Sequence, residues 1–278
     1  VNIPDLLREA AARLSGGSDT ARLDAELLMA HALGIGRADM LMRQRDLDPP
    51  DGFAALVERR AGGEPLAYIT GSRDFWTITL AVTPAVLIPR PDSETLIEAA
   101  VDHFAGTAGP SRILDLGVGS GALLLAALDQ WPVATGIGVD MSDAALGVAR
   151  ANAVALGMAD RADMRTGDWA AGIEERFDLI LANPPYIVAD AVLARDVIDH
   201  EPHGALFAGA DGLDNYRRIA PALPRLLTPG GMAAIEIGYD QSESVGALLA
   251  AQGLSVAMRR DLGGHVRCLI ARLAADPA

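Results

Sequence analysis

The chain has 278 residues, half of them hydrophobic and only 4% aromatic, and a formal net charge of −14. That acidic balance argues against a protein gripping nucleic acid through many phosphate contacts, which needs a basic surface, and no apolar run approaches the ~20 residues of a membrane span. All 23 basic residues are arginine, which excludes Schiff-base chemistry and a P-loop lysine together; the lone Cys268, inside an apolar run, excludes a disulfide framework.

Residues 1–72 read as a small helical domain. Ile3, Leu6, Leu7, Ala10 and Leu14 recur at helical spacing before Gly16-Gly17. A second helix runs from Ser18 or Asp19 through Leu23 and Leu27 to Leu33 and stops at Gly34. A third covers about Asp39–Gln44, and a fourth follows Asp48-Pro49-Pro50 and ends at Gly62-Gly63. Residues 73–90 are expected to form a hairpin linker: Phe75–Val82 is β-rich, Pro84 interrupts it, and Val86-Leu87-Ile88 resumes. Two prolines flank Arg90 and hold its position, and Asp92 or Ser93 is placed to cap the helix Thr95–Phe104. No signal-peptide pattern marks the start, so a cytoplasmic location is expected.

Residues 91–278 form the remaining domain. From Arg112 the pattern is strand, helix, strand, helix, an α/β doubly wound and mostly parallel sheet. Seven strands are expected, near 113–116, 135–139, 162–166, 177–182, 232–237, 254–258 and 266–271, the last antiparallel through a turn at Gly263-Gly264. Leu213–Leu227 reads as a helix kinked at Pro221 or Pro224.

The chemistry gathers at strand ends. The first strand runs into Gly117-Val118-Gly119-Ser120-Gly121, where backbone N–H groups can approach a ligand and a helix N-terminus adds partial positive charge. The second ends at Asp140, about twenty residues on, where a carboxylate can accept both hydroxyls of a ribose. Loop and acid indicate an adenosine-containing cofactor; the same spacing also satisfies the dinucleotide fingerprint. Asp115 stands within reach of an amino group, or holds the loop. The third strand ends at Gly167-Asp168-Trp169, where an acid beside an indole suits adenine. The fourth delivers Asn183-Pro184-Pro185-Tyr186. Prolines after a strand remove its ladder donors, so an –NH2 group placed there can give one hydrogen to the Asn183 amide oxygen and one to the Pro184 carbonyl, with Tyr186 as a flat wall. Arg90 and Glu236 are placed at its border. In His200-Glu201-Pro202-His203, Pro202 and the spacing break the HExxH pattern, and no metal site is expected.

Together these features resemble the class I S-adenosylmethionine-dependent methyltransferases, with a Rossmann-like sheet, and more closely the release-factor glutamine methyltransferases. The resemblance covers nearly the whole chain and rests on Pro65–Gly71, Phe75-Trp76, Ile88–Glu94, Asp115–Gly121, Asn183–Ile187 and Glu201-Pro202 ahead of Ala205-Leu206-Phe207. It implies transfer of a methyl group to the side-chain amide nitrogen (N5) of the glutamine in the Gly-Gly-Gln (GGQ) motif of class 1 peptide chain release factors, with S-adenosylhomocysteine as product. On that precedent Gly117–Gly121 wrap the methionine end of the cofactor, Asp140 holds the ribose, Asp168 and Trp169 meet the adenine, and Asn183 with the Pro184 carbonyl binds the substrate amide. The N-terminal helices help to recognise the release factor. Val118 and Ser93 stand where the family commonly has threonine.

The Asn-Pro-Pro-Tyr turn is shared with enzymes that methylate exocyclic amines of DNA or RNA, the alternative reading, against which the acidic charge counts. A dehydrogenase with NAD in the glycine loop would need an acid/base pair for hydride transfer, and none is evident. A non-catalytic cofactor-binding module would not need Asn183 and Tyr186.

Overall fold

A computed structural model describes residues 2–274. The chain divides into two compact units: the residues through Ser72 together with Leu193–His200, and Arg73–Val192 together with the residues from Glu201 onward.

The first unit contains α1 (Ile3–Leu14), α2 (Ala21–Leu33), α3 (Arg37–Arg43), α4 (Phe53–Ala61) and α5 (Leu66–Thr70). Ile3, Leu7, Ala10 and Leu14 of α1 meet Leu28 and Met29 of α2, Met40, Phe53, Val57 and Ile69 in one core, the outcome of apolar residues at three- and four-residue spacing. Asn2 caps α1 by accepting the Asp5 N–H at 2.9 Å. Ser18 and Thr20 do not cap α2; their hydroxyls donate to buried Asp24 at 2.8 and 2.9 Å, and Arg60 neutralises that carboxylate. α3 begins at Arg37 rather than Asp39, and α5, five residues long, is too short to show a period.

In the second unit β1 (Ser72–Phe75) pairs with β2 (Ile78–Ala81). The turn lies at Trp76-Thr77, with Trp76 at φ 54° and its N–H donating to Glu94. This corrects the expected break at Pro84: turning after Phe75 sends Phe75, Ile78 and Leu80 to one buried face, and Val86–Ile88 forms no strand. A 3-10 turn, Pro91–Ser93, leads into α6 (Glu94–His103), and neither Asp92 nor Ser93 caps it. Their side chains are committed elsewhere.

The main sheet is built from β3 (Arg112–Leu116), β4 (Thr135–Asp140), β5 (Ala162–Thr166), β6 (Phe177–Ala182), β7 (Leu227–Glu236), β8 (Leu254–Arg260) and β9 (Val266–Leu273), in the order β5-β4-β3-β6-β7-β9-β8. The first five strands pair in parallel, and β9 is antiparallel to both β7 and β8. Strand alternation divides the side chains between two cores. Ile113, Leu179, Leu181 and Met232 pack on one face with α6, α7 (Ala122–Gln130) and α8 (Asp143–Ala155). Leu114, Leu116, Ile180 and Ile235 pack on the other with Tyr216, Leu223 and Val245.

α9 (Arg195–Ile198) belongs to the first unit. Residues 213–227, expected as one helix, are broken at both prolines into α10 (Asp214–Ile219), a 3-10 turn Ala220–Ala222 and α11 (Leu223–Leu226), before α12 (Ser242–Ala250) follows β7. A proline ring clashes with the preceding turn and removes a donor. Cys268 is buried in β9, and burial pushes its thiol up to about 12. Among the described residues no helix is long and apolar enough to cross a membrane.

From β3 the chain winds outward through β4 and β5, then returns to β3's other side with β6. That reversal opens a crevice beyond the carboxyl ends of the central strands. Every element discussed next emerges there.

Candidate active site

A cavity of about 460 Å³ occupies this crevice, within the range that takes a drug-sized or cofactor-sized ligand. Asp115, Gly117, Val118, Gly119, Ser120, Asp140, Trp169, Asn183 and Pro185 line it. Of the other expected residues, Gly121 lies behind the loop as the residue before α7, Asp168 is exposed, Pro184 is buried beneath the turn, and Tyr186 is partly buried. The cavity also takes in Phe75, Arg90, Ser93, Met141, Phe207 and Arg218.

The glycine loop is folded by its neighbours. Gly117 and Val118 donate to the Val139 carbonyl at 2.8 and 3.0 Å, and Gly119 donates to Asp140 Oδ2 at 2.9 Å. Asp140 Oδ1 accepts the Ser142 N–H at 2.9 Å, so this carboxylate ties the loop to the start of α8 while it borders the cavity. Gly117 has φ 81°, and a Cβ there would lie 3.1 Å from the Trp169 ring. Trp169 itself has φ 51°, a left-handed conformation that costs a bulky side chain on the order of 1–3 kcal/mol. The strain turns the indole over the glycine loop.

Two buried polar atoms at the cavity have no hydrogen-bond partner: Asp115 Oδ1 and Trp169 Nε1. Asp115 Oδ2 accepts the Leu124 N–H at 3.1 Å. Burial raises this carboxyl to about 7, opposed by the Leu124 hydrogen bond and reinforced by Asp140. An unsatisfied acceptor in such a place suits a ligand cation, which would restore its charge. Asp168 forms an ion pair with Arg218 of α10 across the rim.

Arg90 is held by an ion pair to buried Glu201, whose second oxygen accepts the Ile88 N–H at 3.1 Å. The Pro-Arg-Pro segment and the Glu-Pro pair, far apart in the chain, thus form one wall. His200-Glu201-Pro202-His203 serves this contact through Glu201.

At the Asn-Pro-Pro-Tyr turn, Asn183 Nδ2 donates to the Ser93 hydroxyl at 3.0 Å. The Asn183 amide oxygen is therefore the end left to accept. Nearby, the carboxylate of Glu236 accepts from the Tyr186 hydroxyl at 3.4 Å. Glu236 is 2% exposed and its Oε2 has no partner. Burial lifts it to about 7, with Ser93, Arg267 and Tyr186 pulling it down and Asp92 pushing it up. Burial and Glu236 also raise the Tyr186 phenol above its ordinary range. Asn215 donates to the Pro185 carbonyl at 2.9 Å, and Gln241 to the Tyr186 carbonyl at 3.1 Å, so the turn is braced from α10 and from the start of α12. Chain reading did not find Ser93, Asn215, Arg218 or Phe207 as parts of the site, since no spacing links them to the motifs they touch.

Sheet order, glycine loop and the asparagine turn at one strand edge are those of an α/β methyltransferase. Among solved structures, the hMettl16 catalytic domain in complex with MAT2A 3'UTR hairpin 6 matches with a TM-score of 0.58, covering 80% of this chain and 84% of that one at 18% identity, a likeness of fold. A family model described as the PrmC N-terminal domain matches residues 5–71, and one described as the methyltransferase small domain matches residues 93–202. The release factor glutamine methyltransferase of Cereibacter sphaeroides is 45% identical over 98% of both chains. That of Rhodospirillum rubrum is 44% identical over 96% of this chain and 84% of its own. The chain belongs to the release factor glutamine methyltransferase family, and it is an enzyme of that methyltransferase class.

Proposed function

We propose that this enzyme transfers a methyl group from S-adenosylmethionine to the side-chain amide nitrogen (N5) of the glutamine in the GGQ motif of class 1 peptide chain release factors, in the cytoplasm. The observation that carries the reading is the Asn183 amide, whose nitrogen is committed to Ser93 and whose oxygen is left as an acceptor at the cavity. The names of the relatives agree with it.

The residues fit the cofactor. Asp115, with its unpartnered oxygen, would take the amino group of the methionine end; Gly117 to Gly121 would follow that end; Asp140 would take the ribose; Trp169 would cover the adenine, with Asp168 beside it. When bound, the cofactor supplies a methyl group already activated by its sulfonium. Positioning and electrostatics are left to the chain, and they can supply roughly 7–11 kcal/mol of the barrier.

A glutamine amide nitrogen is a poor nucleophile because its lone pair is delocalised. Asn183 Oδ1 and the Pro184 carbonyl would each accept one of its hydrogens, returning electron density to nitrogen and stabilising the positive charge that grows as the new bond forms. Pro184 and Pro185 keep these acceptors rigid. Tyr186 supplies a flat wall that excludes water, and no strong base is needed before the methyl arrives. The helical domain of residues 1–72 contributes recognition of the release factor.

The test is transfer from labelled S-adenosylmethionine to purified release factor, to the same factor with Gln→Ala in its GGQ motif, and to DNA. Label on the intact factor alone is expected. Label retained after the glutamine change, or found on DNA, overturns the assignment of the acceptor.

A further inference from the structure

The Asn183-Pro184-Pro185-Tyr186 turn cannot hold its own shape. Two successive prolines have no N–H to give, so the backbone between Asn183 and Tyr186 can be tied down only through its carbonyls. The donors that tie it must come from elsewhere in the chain.

Two side-chain amides supply them. Asn215, the second residue of α10, borders the cavity and donates through Nδ2 to the Pro185 carbonyl at 2.9 Å. Gln241, 8% exposed at the start of α12, donates through Nε2 to the Tyr186 carbonyl at 3.1 Å and the Gly212 carbonyl at 3.3 Å, and its Oε1 accepts the Gly238 N–H at 2.9 Å. A carbonyl can only accept and an N–H can only donate, so these partners allow the Gln241 amide one orientation. Gly212 lets the groups meet: at its φ of 72°, a Cβ would collide with the Tyr186 carbonyl oxygen and stand 2.8 Å from Gln241 Nε2. The Pro185 and Tyr186 carbonyls are thus both taken, while that of Pro184 accepts from no described residue.

We infer that Asn215 and Gln241 are positioning residues for methyl transfer. By taking the two later carbonyls of the turn they fix its course, and with it the Asn183 oxygen and the Pro184 carbonyl that would hold the substrate nitrogen. The inference rests on the proposed role of those two acceptors. A displacement of about 1 Å at a reacting centre can cost 10²-fold in rate, so a donor-poor turn needs such outside support. Both amides act on the turn rather than on the glycine loop, and their loss falls on turnover while the cofactor stays in place.

The experiment uses the full chain and the variants N215A, N215D, Q241A and Q241E. In alkaline buffer the introduced acids are ionised: they keep the shape of the amides and lose the donor, which separates a hydrogen bond from packing. The first readout is steady-state methylation of release factor at saturating S-adenosylmethionine, well below the Tm of each variant. Alanine and acid at either position should lower kcat by roughly tenfold, the scale of one lost hydrogen bond, with the Kd for S-adenosylmethionine held within about twofold. The second readout needs no substrate. Pro185-Tyr186 is the one Pro-Tyr pair in the chain, so protein labelled with ¹³C-carbonyl proline and ¹⁵N-tyrosine gives a single linked carbonyl resonance, that of Pro185. Loss of its donor should move that resonance upfield in both N215A and N215D. Wild-type kcat in N215D and Q241E overturns the inference, and so does a cofactor Kd that rises in step with the fall in kcat, or a Pro185 carbonyl unmoved in N215D. If the methyl group goes to DNA in place of release factor and the same variants lose kcat on DNA, the positioning role stands and the glutamine reading fails.

Discussion

Asp115→Asn separates what the buried acid does for binding from what it does to the empty protein. In the folded chain this carboxyl holds its proton up to about 7 instead of the ordinary 3.8. An acid whose folded-state value is raised keeps its proton longer in the native state, so its contribution is complete below about pH 4 and is lost as pH rises through 7. The loss amounts to on the order of 4 kcal/mol by pH 8. Asparagine mimics the protonated acid: it accepts the Leu124 N–H and leaves one donor unpartnered where Oδ1 now sits. The two proteins should therefore melt together near pH 4 and diverge above it, D115N being more stable at pH 8 by a few kcal/mol, at least ~5 °C in Tm for a chain of this size. Glu236, also raised to about 7, leaves a residual slope in D115N that D115N/E236Q removes. Cofactor binding should change the other way, with the Kd for S-adenosylmethionine rising tenfold or more because the partner of its amino group has gone. Thermal melts from pH 4 to 8.5, with and without S-adenosylmethionine, read both effects. Parallel melting curves for wild type and D115N, or unchanged affinity, would refute the reasoning.

Asn183→Ala should lower kcat by about 10²–10³, the scale of deleting one preorganised transition-state partner, with cofactor affinity by calorimetry nearly unchanged; equal losses in both would make Asn183 a cofactor ligand instead. Gly117→Ala must place a side chain at φ 81° and 3.1 Å from Trp169, costing about 1–2 kcal/mol in conformation alone, so weaker cofactor binding should accompany a small fall in Tm. Arg90→Ala strands the Glu201 carboxylate, 1% exposed, and should destabilise by about 3–5 kcal/mol. Glu201→Ala leaves an exposed-side arginine and one buried N–H, a loss of about 1–3 kcal/mol; urea unfolding giving the opposite order would sink this account of the wall.

The sheet was legible because each strand carries its own burial pattern, and the parallel core strands contain short apolar runs such as Leu179–Ala182. What escaped was local. The hairpin turn at Trp76-Thr77 contains neither glycine nor proline, and a tryptophan at φ 54° announces itself by no composition rule. Pro84 looked like the natural break and is only loop. Asp92 and Ser93 looked like caps because Asp and Ser usually are; distant charge and polarity claim them instead, Arg267 for Asp92 and the Asn183 amide for Ser93.

At the site, each motif reads as a separate ligand contact, whereas the structure couples them. Gly117 and Trp169 are a single device: the indole can close over the loop only because Gly117 lacks a Cβ, and it reaches that place only by accepting a left-handed backbone. A change at either residue should thus alter the same binding step, and G117A combined with W169A should lose less than the sum of the two, since removing the ring removes the clash. Full additivity of the two losses in cofactor affinity would mean that glycine and indole act independently. The coupling is between residues no spacing rule connects, and it arises from the parallel order of β3, β4 and β5, which sets the glycine loop and the Trp169 loop at the same sheet edge.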